Sequence, residues 1–303
     1  MLPRVAVLVL CYNGIDDTLA CLASLQHLDY PPERHTVIVL DNASHDDTPQ
    51  RVRAAFPAVT VLENGANLGF AAGNNVGLRY ALTQGYDYAL LLNNDTEVAP
   101  DFLRLLVAAA EADPQLGAVG PLIYYHAAPT RVWSAGGSVD WRRGICSMAG
   151  ESEDVGQYTQ AHDVDFVTGC ALLLRRAALE RVGLLDERFF MYFEESEWCV
   201  RAARAGWRSH IVPQSKVWHK IPLDARFDKE YLAYYMTRNR LLFLRATGAG
   251  LRTWFDALIL QDLRTYASLC LRPKWRTRRG RVGMRVAWMD FWRGRFGRLE
   301  TAM

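Results

Sequence analysis

Apolar and polar positions fall into alternating blocks over the first hundred residues. Val5–Leu10, Thr36–Leu40, Val59–Leu62 and Tyr88–Leu92 are short β-rich apolar runs. Asp17–Leu28 has apolar residues at helical spacing, and Pro31-Pro32 ends that helix. ASHDDTPQRVRAAF places capping residues before a second helical pattern, and ENGANLGFAAGNNVGLRYAL is a Gly- and Asn-rich loop running into a third. Strand and helix thus alternate four times in about 95 residues, which predicts a doubly wound, mostly parallel α/β sheet. Ligands of such sheets sit beyond the carboxyl ends of the strands. Three of the four strands end in polar turn formers, Tyr12-Asn13, Asp41-Asn42 and Asn93-Asn94-Asp95, and these ends should converge on one crevice.

Further along, Pro100–Ala112 reads as a helix, and the stretch to about Asp163 as irregular. Phe166–Arg175 is an apolar strand and Ala177–Val182 a short helix. They are followed by the acidic turn FFMYFEESEWCVRAARAGW and by HIVPQSKVWHK. From Glu230 onward the pattern is helical and increasingly basic.

Composition adds three constraints. Half of the 303 residues are hydrophobic and 22% are charged, which excludes disorder. The net charge is +2, yet between Arg272 and Arg298 the only acid is Asp290, so an acidic body carries a basic tail. Six cysteines without CxxC spacing read as free thiols in a reducing compartment. The opening RVAVLVL reads as a first strand rather than a signal peptide, and no run of about 18 apolar residues occurs. The expected location is therefore the cytoplasm.

Each candidate for chemistry has a plain structural alternative. Oxygen ligands at a strand end, as in Asn93-Asn94-Asp95, suit a hard divalent cation, but Asn and Asp are also the commonest turn formers. Asp41 could accept from a ribose hydroxyl or a base N–H, or could cap a helix. The glycines of Asn67–Gly77 could bring backbone N–H groups to a phosphate, or could serve close packing. Glu194, Glu195 and Glu197 lie within four residues, where like charges disfavour full ionisation; one of them could act as a general base. The alternative is an acidic first helical turn. His219 is either a metal ligand or a packed histidine. Neither GxGxxG nor GxxxxGK[ST] occurs, which argues against dinucleotide oxidoreductases and P-loop NTPases.

Taken in order, CYNG, VLDNAS, NLGFAAGNN, LLLNNDTEV, FVTGCALLLRR, GLLDERFFMYFEESEWCVRAARAGW and VPQSKVWH resemble the family-2 inverting glycosyltransferases of GT-A fold. The likeness is to their rhamnosyltransferase-like branch and spans roughly residues 4–245. The resemblance implies a site, residue by residue. Asn93-Asn94-Asp95 takes the place of the DxD motif, with Asp95, Asn93 and His219 holding Mg²⁺ or Mn²⁺. Tyr12, Asn13, Asp41, Asn67, Gly69, Phe70, Asn74 and Asn94 would line the pocket for a dTDP- or UDP-sugar, and Arg238 would approach the diphosphate. Glu195 falls where the family places its catalytic Asp, with Glu194 as the neighbouring candidate. The implied activity is transfer of a sugar, with rhamnose from dTDP-rhamnose as first choice. The acceptor would be a saccharide or a polyprenyl-linked glycan of the cell surface.

Residues 1–225 are then expected to form the catalytic domain, with a nucleotide half to about residue 98 and an acceptor half from 99. Residues 226–303 would be a helical, basic C-terminal extension. Trp275, Trp288, Phe291, Trp292 and Phe296 interleave with arginines there, a pattern that lies on anionic membranes at the inner face or forms a solvated basic helix. Two other readings are a nucleotidyltransferase on a related fold, whose Gly-rich basic loop CYNGIDD lacks, and a nucleic-acid-binding protein acting through the tail. No nucleic-acid partner is expected on the leading reading.

Overall fold

The computed structural model describes residues 2–223, 230–271 and 278–300. β1 (Val5–Cys11), α1 (Ile15–Leu25), β2 (His35–Asp41), α2 (Thr48–Ala55), β3 (Thr60–Glu63), α3 (Gly69–Thr83) and β4 (Tyr88–Asn93) alternate as the sequence predicts. β1 pairs in parallel with β2 on one side and β4 on the other, and β3 continues the parallel set beyond β2. Side chains of β1 feed two cores. Ala6 and Leu8 pack in the cluster of Ile38, Leu40 and Leu78, while Val5, Val7 and Val9 pack in that of Leu22, Leu90 and Phe102. Helices cover both faces, so these strands read as continuous apolar runs rather than as alternation.

β5 (Thr96–Val98), α4 (Phe102–Ala112), β6 (Leu116–Tyr125), β7 (Ala128–Ser134), β8 (Gly137–Asp140), β9 (Ile145–Met148), β10 (Ser152–Glu153), β11 (His162–Val164) and β12 (Ala171–Arg175) come next. They are followed by α5 (Arg176–Val182), α6 (Glu194–Arg204) and β13 (Arg208–His219). β12 lies between β4 and β6 and runs antiparallel to both, so the parallel half of the sheet ends at β4. β13 runs parallel to β6 and antiparallel to β5 and β11.

The stretch to Asp163, expected to be irregular, instead holds β6 to β10 and most of β11, and every residue of β6 is buried. Gly117, Gly120 and Pro121 read as breakers in sequence. In the fold a Cβ at Gly120 would stand 2.2 Å from Val167, so the glycine is a requirement of sheet packing. Pro121 sits at a bulge, where the β13 partner register jumps from Val212 to Lys216.

The chain ends in α7 (Glu230–Ala246), α8 (Leu251–Phe255), a π-helical segment (Asp256–Leu263), α9 (Arg264–Leu271) and α10 (Arg278–Trp292). α7 belongs to the main core: Leu242, Phe243 and Leu244 are fully buried there. The Tyr234 hydroxyl donates to Asp290, and the Arg238 guanidinium donates to the Gly297 carbonyl. The C-terminal helices thus pack on the core that the sheet builds, and the expected boundary near residue 225 lies outside the described residues.

The aromatic tail also departs from expectation. Phe291 is buried, Trp288 donates its indole N–H to Asp262, and Phe296 packs over the guanidinium groups of Arg238 and Arg245. Phe291 is thus interior and Trp288 and Phe296 are partly buried; of the described rings Trp292 alone is well exposed, and Trp275 lies outside the described residues. Among the described residues no helix is long and apolar enough to cross a membrane.

Candidate active site

The loops after β1 and β2 are laced together. Asn13 takes a left-handed backbone conformation (φ 58°), donates its N–H to Ser44 Oγ at 2.8 Å, and accepts from the His45 N–H at 2.8 Å. Asp41 is buried and accepts from the Ser44 N–H at 3.1 Å, closing its own loop. A carboxylate has about four acceptor positions, so capacity remains. Tyr12 stands half exposed at the rim, edge-on to His45.

The start of α3 was expected to meet the diphosphate, and the structure corrects this. The Gly69 N–H is taken by the Asn67 side chain at 3.0 Å, and the N–H groups of Phe70 and Ala71 donate to the Phe190 carbonyl at 2.6 and 3.2 Å. Gly69 has φ 77°, and a Cβ there would lie 2.4 Å from the Phe190 ring. Glycine is demanded by Phe190, not by a phosphate. Asn74 donates its amide to the Phe70 carbonyl, and its buried Oδ1 has no protein partner.

At the end of β4, the Asn93 N–H donates to the Cys170 carbonyl and its own carbonyl accepts from the Thr96 hydroxyl, which tightens the turn. Asn94 donates its amide to Thr18 Oγ1 at 2.9 Å. Asp95 is left partly exposed, and its Oδ1 lies 3.1 Å from His219 Nε2. The antiparallel register of β5 and β13 sets His219 opposite Thr96 and so beside Asp95. Trp133 packs edge-on against the buried imidazole at 4.6 Å, and His219 Nδ1 is buried without a partner. Lys220, not anticipated from sequence, adds a cation here through ion pairs with Glu97 at 3.0 Å and Asp17 at 3.4 Å.

The acidic cluster opens α6. Glu197 is held by Arg201, whose Nε–H is shared between both carboxylate oxygens at 2.7 and 2.9 Å, and is structural. Glu194 is buried, and its Oε2 has no partner. Burial, and then the neighbouring charge of Glu195, hold its carboxyl well above the usual carboxylate range. Burial raises Glu195 as well, opposed by its own and the Ser196 backbone N–H and by the Ser196 hydroxyl. Glu195 is the more exposed of the two, so the deeper Glu194 is held further toward the protonated form.

The loop before α6 is strained. Phe190, Tyr192 and Phe193 all have positive φ, at 66°, 68° and 75°. Bulky residues there cost about 1–3 kcal/mol each unless the surroundings over-determine them. Arg238 and Asn239 of α7 do so. Arg238 donates to the Arg188, Phe189 and Gly297 carbonyls, and Asn239 to those of Phe189, Met191 and Tyr192. Arg238 is fully buried, so the expectation that it approaches the diphosphate is corrected. It positions the acidic loop instead. Sequence carries no signal for Asn239, because a lone amide in a helical stretch does not reveal that it gathers three carbonyls.

The two acid-bearing regions are linked through Phe70. Gly169, next to the Cys170 that binds Asn93, leaves room for the Phe70 ring, whose own N–H binds Phe190. Among the described residues no hydrogen bond or ion pair joins Glu195 directly to Asp95 or His219.

A parallel half carrying loops rich in Asn and Asp, continued by an antiparallel half bearing an acidic helix start, is the architecture of a GT-A transferase. Among solved structures it matches the mannosyltransferase PcManGT from Pyrobaculum calidifontis in complex with GDP-Man and Mn²⁺. The TM-score is 0.60 at 20% identity, covering 96% of this chain and 88% of that one. An N-acetylglucosaminyl-diphospho-decaprenol L-rhamnosyltransferase of Mycobacterium tuberculosis is 31% identical over 258 residues, 78% of this chain and 81% of that protein. The dTDP-rhamnosyl transferase RfbF of Shigella flexneri is 24% identical over 223 residues, 69% of this chain and 70% of that protein. The model of glycosyl transferase family 2 matches residues 6–183, more than half of the chain. The chain belongs to glycosyl transferase family 2 and is a glycosyltransferase.

Proposed function

We propose that the chain is an inverting, metal-dependent hexosyltransferase, moving L-rhamnose from a dTDP-linked donor to a saccharide or polyprenyl-diphosphate-linked acceptor in cell-surface glycan synthesis. The names of the Mycobacterium and Shigella relatives support the donor and the lipid-linked acceptor. Family membership displaces the nucleotidyltransferase reading.

The observation that carries the mechanism is the Asp95–His219 pair. One carboxylate oxygen and one imidazole nitrogen at 3.1 Å are donors that suit a hard divalent cation with open positions for phosphate and water, and among the described residues no third His, Cys, Asp or Glu joins them. Asp95 and His219 would hold it, with Asn93 beside them. Bound there, Mg²⁺ or Mn²⁺ supplies Lewis-acid neutralisation of charge gathering on the leaving diphosphate. Tyr12 and Asp41 would receive the nucleoside, while Asn13 and Asn94 fix the loops around it.

Glu195 serves as the base and takes the proton of the acceptor hydroxyl. The hydroxyl oxygen forms its bond to the anomeric carbon as the bond from that carbon to the diphosphate oxygen breaks. The electron pair leaves with the nucleoside diphosphate, and the anomeric centre inverts. The burial that favours the protonated form of Glu194 disfavours a second negative charge beside the base. The deciding experiment is a melting-temperature screen of nucleotide-sugars with and without Mn²⁺, followed by turnover with a polyprenyl-diphosphate sugar. Bound donor raises the melting temperature. No rise with any donor would defeat the reading.

A further inference from the structure

α8, the π-helical segment and α9 form one continuous helix, Leu251 to Leu271, whose polarity is inside out. Its inward side sets Ala257, Trp254 and Tyr266 against the core and α10, and is otherwise polar. The Thr253 hydroxyl donates to the Trp141 carbonyl, and Arg240 bonds the Ala257 carbonyl, Gln261 and Asp262. Gln261 donates in turn to the Arg143 carbonyl. The outward side is apolar: Leu251 is 91% exposed, Phe255 58%, Ile259 45%, Leu260 and Leu263 54%, and Leu271 78%. A surface helix facing water has the reverse arrangement. Residues spaced by four drift around an α-helix of 3.6 residues per turn; the wider π turns counter that drift and keep Leu251, Phe255, Ile259 and Leu263 on one stripe. Trp254 packs on Phe291 at 5.8 Å, which brings the α10 end, with exposed Met289 and Trp292, beside α8.

We propose that this face docks on an anionic lipid bilayer. Charge selects the occupant. Residues 272–298, which continue the chain from this helix, hold ten Lys and Arg against the single acid Asp290, and Arg252 and Arg264 are exposed on the helix itself. A second copy would bring the same positive charge and be repelled, whereas anionic headgroups complement it. The helix lies in the interface plane with its leucines and Phe255 at the headgroup–acyl boundary. The inference rests on the proposed function for its purpose, the meeting with a membrane-borne acceptor.

The test is co-sedimentation of the full chain with phosphatidylglycerol–phosphatidylcholine vesicles and with phosphatidylcholine alone. The wild type is expected to pellet with the anionic vesicles. A Phe255→Ser/Ile259→Ser/Leu263→Ser variant, unchanged in charge, should lose partition at least about tenfold while its melting temperature holds. A wild type that ignores anionic vesicles, or a folded serine variant that binds them equally, overturns the proposal. So does a lipid-free dimer that the serine variant converts to monomer without any vesicle binding. If the wild type binds vesicles while no nucleotide-sugar raises its melting temperature, the docking surface stands and the proposed function falls.

Discussion

His219 and Asp95 meet at 3.1 Å although 124 positions separate them along the chain. The contact exists because β13 returns antiparallel to β5, with His219 opposite Thr96. It gives the first prediction. With donor at about 100 times its Kd, binding stabilises by about 2.7 kcal/mol. The Mn²⁺-dependent part of that gain should vanish in Asp95→Ala and shrink in His219→Ala, read as the melting-temperature difference between Mn²⁺ and EDTA. An undiminished Mn²⁺ response in both variants would remove the pair as the cation site.

Glu195→Gln should lower kcat by about 10²–10⁴-fold, the usual contribution of a general base, while the donor-induced melting shift stays intact. Because burial raises the Glu195 carboxyl, the acid limb of the wild-type pH–rate profile should lie above the ordinary glutamate range. Retained turnover would exclude Glu195 as the base.

Glu194 makes a stability prediction of definite sign. Its carboxyl is raised in the folded protein, so its contribution to stability is intact below the ordinary glutamate pKa and is lost as pH climbs through the raised value. Glu194→Gln mimics the protonated acid. The variant should melt above wild type near neutral pH, with the gap closing toward about pH 4. Melts across pH read this directly, and a gap that ignores pH would contradict the burial argument.

Asn239→Ala leaves the carbonyls of Phe189, Met191 and Tyr192 without their donor, which should cost about 1–3 kcal/mol in denaturant unfolding. If Asn239 positions the base, kcat falls while the donor KM holds. A folded variant with unchanged kcat would reduce Asn239 to a role in stability alone.

Removing residues 272–303 should lower the melting temperature and abolish turnover, because Tyr234 then loses Asp290 and Arg238 loses Gly297. A truncated chain that still turns over at the wild-type rate would show those contacts to be dispensable.

How far the sequence could be read follows from where each signal lies. β1 to β4 were legible because each is an apolar run stopped by turn formers. β6 was not, since Gly117, Gly120 and Pro121 are breakers in isolation and become requirements only once Trp207, Val167 and the β13 bulge stand against them. The glycines at the start of α3 carried a true signal with the wrong cause, because Phe190 arrives there from more than a hundred residues away. Arg238 failed similarly: a cation beside aromatics suits a phosphate or a buried clamp equally, and only the carbonyls that it meets decide. The tail rings failed because alternation of Arg with Trp and Phe does not say which face another helix will cover.

Arg238, Asn239 and Arg240 are consecutive. The first two grip the loop that aims Glu195, and the third grips Ala257, Gln261 and Asp262 on the inside-out helix. A single turn of α7 thus touches both the strained loop ahead of α6 and the leucine-studded flank, so a substitution in that turn reaches two distant surfaces at once.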